Sequence, residues 1–98
     1  IAYALGSKLL LLRTYYELGE DQALDSLIDS FRIFLRRNKL ISKEIKQQYM
    51  NALRFTKRMA TTAHFDEKAI QKLKAQIEKC KALAIKKWLL EKVKELTG

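Results

Sequence analysis

Few side chains in this 98-residue chain could carry covalent or metal chemistry. His64 is the single histidine and Cys80 the single cysteine. One imidazole and one thiol fall short of the four ligands of a structural zinc site. A nucleophilic cysteine needs an exposed, electropositive setting. The spacing instead places Cys80 on an apolar helical stripe, where a thiol is buried and inert, and His64 reads as a histidine between two helices. Asp21, Asp25 and Asp29 recur every four residues. With Arg32 and Arg36 they read as an exposed helix face of acid–base pairs at i,i+3 and i,i+4 rather than as a catalytic carboxylate set. The chain has no Glu-x-x-His pair, no glycine-rich phosphate loop and no Gly-x-Ser-x-Gly elbow. It is therefore expected to be a non-enzyme with no cofactor and no metal.

The remaining chemistry is electrostatic. Twenty Lys and Arg against eleven Asp and Glu give a net charge of +9. Residues 1–49 hold eight basic and six acidic side chains, residues 50–98 twelve and five. Arg32, Arg36 and Arg37, with Lys39, form one cluster. Arg54, Lys57 and Arg58 form another, with Lys68, Lys72, Lys79 and Lys86 along the segment that follows. Such charges can meet phosphates, but sequence-specific readers add stacking aromatics or a recognisable motif. Residues 81–96 also resemble a basic amphipathic helix carrying Trp88, which in isolation would suit an anionic bilayer; within a domain Trp88 and Leu89 read as core anchors.

The elements that must position these residues are helical. The sequence has no proline and three glycines, 48% of it is hydrophobic and 32% charged, a profile of a foldable helical domain. Its longest apolar run, Leu9–Leu12, is far too short to span a membrane, and a single cysteine fits a reducing, cytoplasmic setting. Leu5, Leu9, Leu12 and Tyr16, broadened by Leu10 and Leu11, predict a helix over 2–18 that stops at Gly19. Leu24, Leu27, Ile28, Phe31, Phe34 and Leu35 predict a second over 21–38, with Asn38 as its cap. Ser42 caps a third, with Ile45, Tyr49, Ala52, Leu53 and Met59 inside, Met50 and Phe55 flanking, and an end near Thr61-Thr62. Asp66 caps a fourth. Its stripe of Ile70, Leu73, Ile77, Cys80 and Ala84 then shifts to Ile85, Trp88, Leu89, Val93 and Leu96. One helix from Glu67 to about Leu96, bent near 81–84, is the simple reading, with two consecutive helices left open.

The expected fold is thus all-α: a single domain over 1–98 of two antiparallel helical hairpins, either α-solenoid-like or a small bundle. A chain beginning at Ile1 is expected to be a C-terminal fragment of a longer helical-repeat protein.

The segment from Leu10 to Leu24 resembles a tetratricopeptide repeat. Tyr15, Tyr16, Gly19 and Ala23 stand where that family has its Tyr-Tyr-x-x-Gly helix end and the small residue opening the second helix's contact face. The turn is one residue shorter than the family's, and Arg36-Arg37-Asn38-Lys39 stands where a proline commonly closes the repeat. The likeness covers residues 10–35 and extends to the C-terminal parts of uncharacterised bacterial helical-repeat proteins. It implies a protein-interaction scaffold. Tyr3, Leu11 and Tyr15 are the candidate partner-binding residues, because Leu5, Leu9, Leu12 and Tyr16 already serve the core. The partner is expected to be a protein or peptide, selected as acidic by the basic surface. Preceding helical repeats or self-association would use the same first-helix face. The alternative is nucleic-acid binding through Arg32, Arg36, Arg37, Arg54, Lys57 and Arg58.

Overall fold

The computed structural model describes residues 2–62 and 66–97. Every regular element among them is helical: α1 (Ala2–Leu18), α2 (Asp21–Arg37), α3 (Lys43–Thr61), α4 (Glu67–Lys79) and α5 (Lys86–Glu95). They group into two compact units, Ile1–Lys46 and Gln47–Gly98.

In the first unit α1 packs on α2. Leu5, Leu9 and Leu12 from α1 are buried, as are Leu24, Ile28, Phe31 and Leu35 from α2. Gly19 stops α1 as expected, in the left-handed region at φ 69°. Its N–H donates to the Tyr16 carbonyl at 3.2 Å and that of Glu20 to the Tyr15 carbonyl at 3.0 Å, the two bonds of a Schellman end. Asp21 then sits in the first turn of α2, where its charge meets the helix dipole. Asn38 closes α2. Its N–H reaches the Phe34 carbonyl at 3.1 Å, and its Oδ1 accepts from the Leu40 N–H at 3.1 Å, so the side chain itself forms the turn. Ser42 caps α3 as predicted, its Oγ accepting from the Ile45 N–H at 3.3 Å. Ile45 is a correction: it is 40% exposed, since the first turn of α3 faces solvent.

In the second unit α4 packs on α5. The buried set is Ala52, Leu53, Phe55 and Met59 of α3, Ile70, Leu73 and Ile77 of α4, and Leu89 and Val93 of α5, with Leu96 following. Phe55, expected to flank the core, lies within it, while Tyr49 is half-buried. Thr56 is also fully buried. Its hydroxyl donates to the Ala52 carbonyl at 2.7 Å, which removes the cost of an unpaired buried polar group. Asp66 caps α4, its Oδ1 accepting from the Ala69 N–H at 3.3 Å.

The single long helix is overturned: α4 ends at Lys79 and α5 begins at Lys86. Cys80 is extended, at φ −76° and ψ 113°, and Ile85 is left-handed, at φ 51°. A β-branched residue there costs about 1–3 kcal/mol. Partners from elsewhere in the unit compensate. Asn51 Nδ2 donates to the Ala82 carbonyl at 2.8 Å, and the Ala84 N–H to the Gln48 carbonyl at 3.1 Å. Lys86 Nζ covers the end of α4, donating to the carbonyls of Glu78 at 2.8 Å and Cys80 at 3.1 Å. The break lets α4 and α5 each turn their apolar stripe inward, which an unbroken helix with a shifted stripe could not do.

Candidate functional site

Two surfaces stand out, one in each unit. The first is the outer face of α1. At about 100° per residue, Tyr3, Ser7, Leu10, Thr14 and Leu18 fall within an arc of about 80°, opposite Leu5, Leu9 and Leu12. Tyr3 is 88% exposed, Leu10 61% and Leu18 68%. Leu11, 43% exposed, borders the arc. No charged residue lies on it: Lys8, Arg13 and Glu17 project to its flanks. Thr14 turns its hydroxyl back to the Leu10 carbonyl at 2.8 Å, so even this polar side chain is partly satisfied within the helix. Lys8 lies over the Phe34 ring, 4.9 Å from its centroid, and helps tie α1 to α2.

Of the residues expected to bind a partner, Tyr3 is on this face, Leu11 at its edge, and Tyr15 is half-buried beyond it. Leu10, expected to broaden the core stripe, faces solvent instead, and Leu18 joins it. The signal for both was present: the core arc was already filled by Leu5, Leu9 and Leu12, and residues seven to eight positions apart share a helix face.

The predicted basic residues divide between the units. Arg32, Arg36 and Arg37 belong to α2, where Arg32 Nη1 lies 3.8 Å from Asp29 Oδ1. Asp21, Asp25 and Asp29 are exposed, as the surface-stripe reading requires. A shallow hollow of about 550 Å³ at the end of α2 is lined by Ser30, Ile33, Phe34, Arg37, Asn38 and Lys39. Arg54, Lys57 and Arg58 belong to α3. Arg54 and Arg58, one turn apart, both lie over the Phe55 ring, at 4.8 and 5.9 Å from its centroid. Arg58 Nη1 donates to Gln76 Oε1 and so joins α3 to α4. Lys57 steps off this row. The groove beside the bond has a volume of about 340 Å³ and is lined by Arg54, Phe55, Arg58, Gln76, Lys79 and Cys80, with no carboxylate.

Cys80 is not a stripe residue. It is half-buried at the end of α4, and its Sγ accepts from Asn51 Nδ2 at 3.5 Å. Lys86, expected among the outward lysines, is bound to backbone carbonyls instead. His64 lies outside the described residues. Among the described residues no three His, Cys, Asp or Glu side chains are grouped to hold a metal ion, and no helix is long and apolar enough to cross a membrane. Comparison with protein families, curated proteins and solved structures finds no match.

Proposed function

We propose that this chain is a non-catalytic protein–protein interaction module of helical-repeat, tetratricopeptide-like type, in which α1 and α2 form an antiparallel hairpin and the outer face of α1 receives an amphipathic helix of a protein partner. The observation that carries the reading is the uncharged arc of Tyr3, Leu10 and Leu18, bordered by Leu11. Large apolar side chains on both sides of one helix are unexpected for an element that packs on one side only. The left-handed Gly19 and the half-buried Ala23 just after it support the repeat likeness, because they permit a tight turn and a close helix approach.

The test is a selection of displayed amphipathic helices on the purified chain, followed by affinity measurement on the double variant Leu10→Ser, Leu18→Ser. Helices held by this face lose at least about tenfold in affinity, equivalent to about 1.4 kcal/mol. Urea unfolding of the variant stays within about 0.5 kcal/mol, since both side chains are outside the core. Binders indifferent to the substitutions would sink the proposal. So would a dimer of the chain that dissociates in the variant, which would make a second copy the occupant.

A further inference from the structure

We infer that the second unit carries a site for a nucleic-acid phosphodiester backbone, laid along a basic row of α4 that meets Arg54 and Arg58 of α3 at its C-terminal end and read without base recognition. The site is independent of the α1 face and stands whether or not that face binds a protein.

The α3 row is Asn51, Arg54 and Arg58, and the α4 row is Lys68, Lys72, Gln76 and Lys79. At about 100° per residue the four α4 positions fall within about 80° of arc. Lys68, Lys72, Gln76 and Lys79 are all exposed. The acids of α4, Glu67 and Glu78, project more than about 100° from the centre of that row by the same step. The acid of α3, Glu44, lies in its first turn, about 15 Å along the axis from Arg54. The Arg58–Gln76 bond joins the two rows at one point, and Arg54, Arg58 and Lys79 share one groove. Arg54 has Asn51 Oδ1 at 3.5 Å and the Phe55 ring as its neighbours. No described carboxylate pairs with Arg54, Arg58 or Lys79. Lys86 adds to the field, because its ammonium covers the carbonyls that would otherwise make the end of α4 repel an anion.

The shape of this charge selects the ligand. It is a line rather than a point: Lys68 and Lys79 are about 16 Å apart along the helix axis. A strand presents one phosphate about every 3.4 Å of duplex axis, so roughly five phosphates face that length. A protein partner needs an apolar anchor at the centre of its footprint. None is offered here, since Phe55 is 2% exposed and capped by two guanidiniums. The same closure removes the aromatic platform on which bases stack. Contact is therefore with backbone, and sequence preference is weak.

Fluorescence anisotropy on the full chain tests this, using a mixed-sequence 20-nucleotide single strand and its duplex at about 0.05 and 0.15 M salt. The variant Lys68→Gln, Lys72→Gln, Lys79→Gln removes three exposed charges of the row. Lys43→Gln, Lys87→Gln, Lys94→Gln removes three exposed charges elsewhere and matches its net charge. Circular dichroism confirms that both remain helical. The row variant is expected to bind at least about tenfold more weakly at low salt. Its slope of log affinity against log salt should fall by about 2, at about 0.7 to 0.9 for each phosphate no longer neutralised, and the control should stay within about twofold of the parent. Whichever of strand and duplex binds more tightly identifies the form the track fits. Equal weakening in the control would reduce the attraction to net charge and overturn the site. No binding at low salt would do the same. A 20-residue oligoglutamate bound as tightly as the oligonucleotide would assign the track to acidic protein instead.

Discussion

The two units have opposite surpluses. Tyr3, Leu10, Leu11, Leu18, Ile33, Leu40 and Ile45 are the exposed large hydrophobic residues among those described, and all belong to the first unit. The second unit leaves none of its described large apolar residues exposed to that degree. Yet residues 50–98 hold twelve basic side chains against five acidic, where residues 1–49 hold eight against six. One unit has more apolar surface than its own packing uses, the other more positive charge than its own carboxylates neutralise. Unused apolar area favours association that is insensitive to salt, while unused charge favours association that salt abolishes. On the two proposals above, the difference in surface composition is a difference in the kind of partner.

The comparison can be broken first through the cores. Among the described residues, Phe31 and Phe55 are the fully buried aromatics of the first and second units. Truncation of either to alanine should cost about 3–5 kcal/mol in urea unfolding. Only Phe55→Ala also removes the floor beneath Arg54 and Arg58, so it should weaken oligonucleotide binding under conditions where the chain is still folded, and Phe31→Ala should not. Equal effects on binding would erase the distinction between the units.

The connections sharpen it further. α1 and α2 are joined by a local Gly19 turn; α4 and α5 are joined by a six-residue segment, 80–85, held from α3 by the Asn51 side chain and the Gln48 carbonyl. Asn51→Ala leaves the Ala82 carbonyl without its side-chain donor and should cost about 1–3 kcal/mol, with hydrogen exchange accelerating at 80–85 ahead of the rest of the unit. Gly19→Ala should cost less, about 1 kcal/mol in thermal unfolding. A Cβ there meets no atom within 4 Å, so the left-handed backbone is the whole of the penalty.

The same contrast explains what was legible in the sequence. Gly19, Asn38, Ser42 and Asp66 mark helix ends by local chemistry, and the bounds of α1, α2 and α3 follow from them. Nothing local marks the end of α4. Its break has no glycine or proline, puts an isoleucine in a conformation that disfavours it, and depends on Asn51, Gln48 and Lys86. The visible trace was the shift of the apolar stripe between Ala84 and Ile85. The surfaces divide likewise. Arg54 and Arg58 share a face by spacing alone. Their alignment with Gln76 and Lys79 is tertiary and has no sequence signature. Leu10 was hidden inside a run of four leucines, where composition says core and only helical geometry says otherwise.

Lys86 changes how the charge of this protein is to be counted. Its ammonium is bonded to two carbonyls and the residue is half-buried, whereas Lys68, Lys72 and Lys79 stand in solvent. Amine reactivity follows that difference. Acylating reagents meet the three outward lysines as free nucleophiles, but must first detach Lys86 from the end of α4. Neutralising an outward lysine removes only attraction. Neutralising Lys86 uncaps a helix, so the same chemical change acts on recognition at one set of positions and on folding at the other.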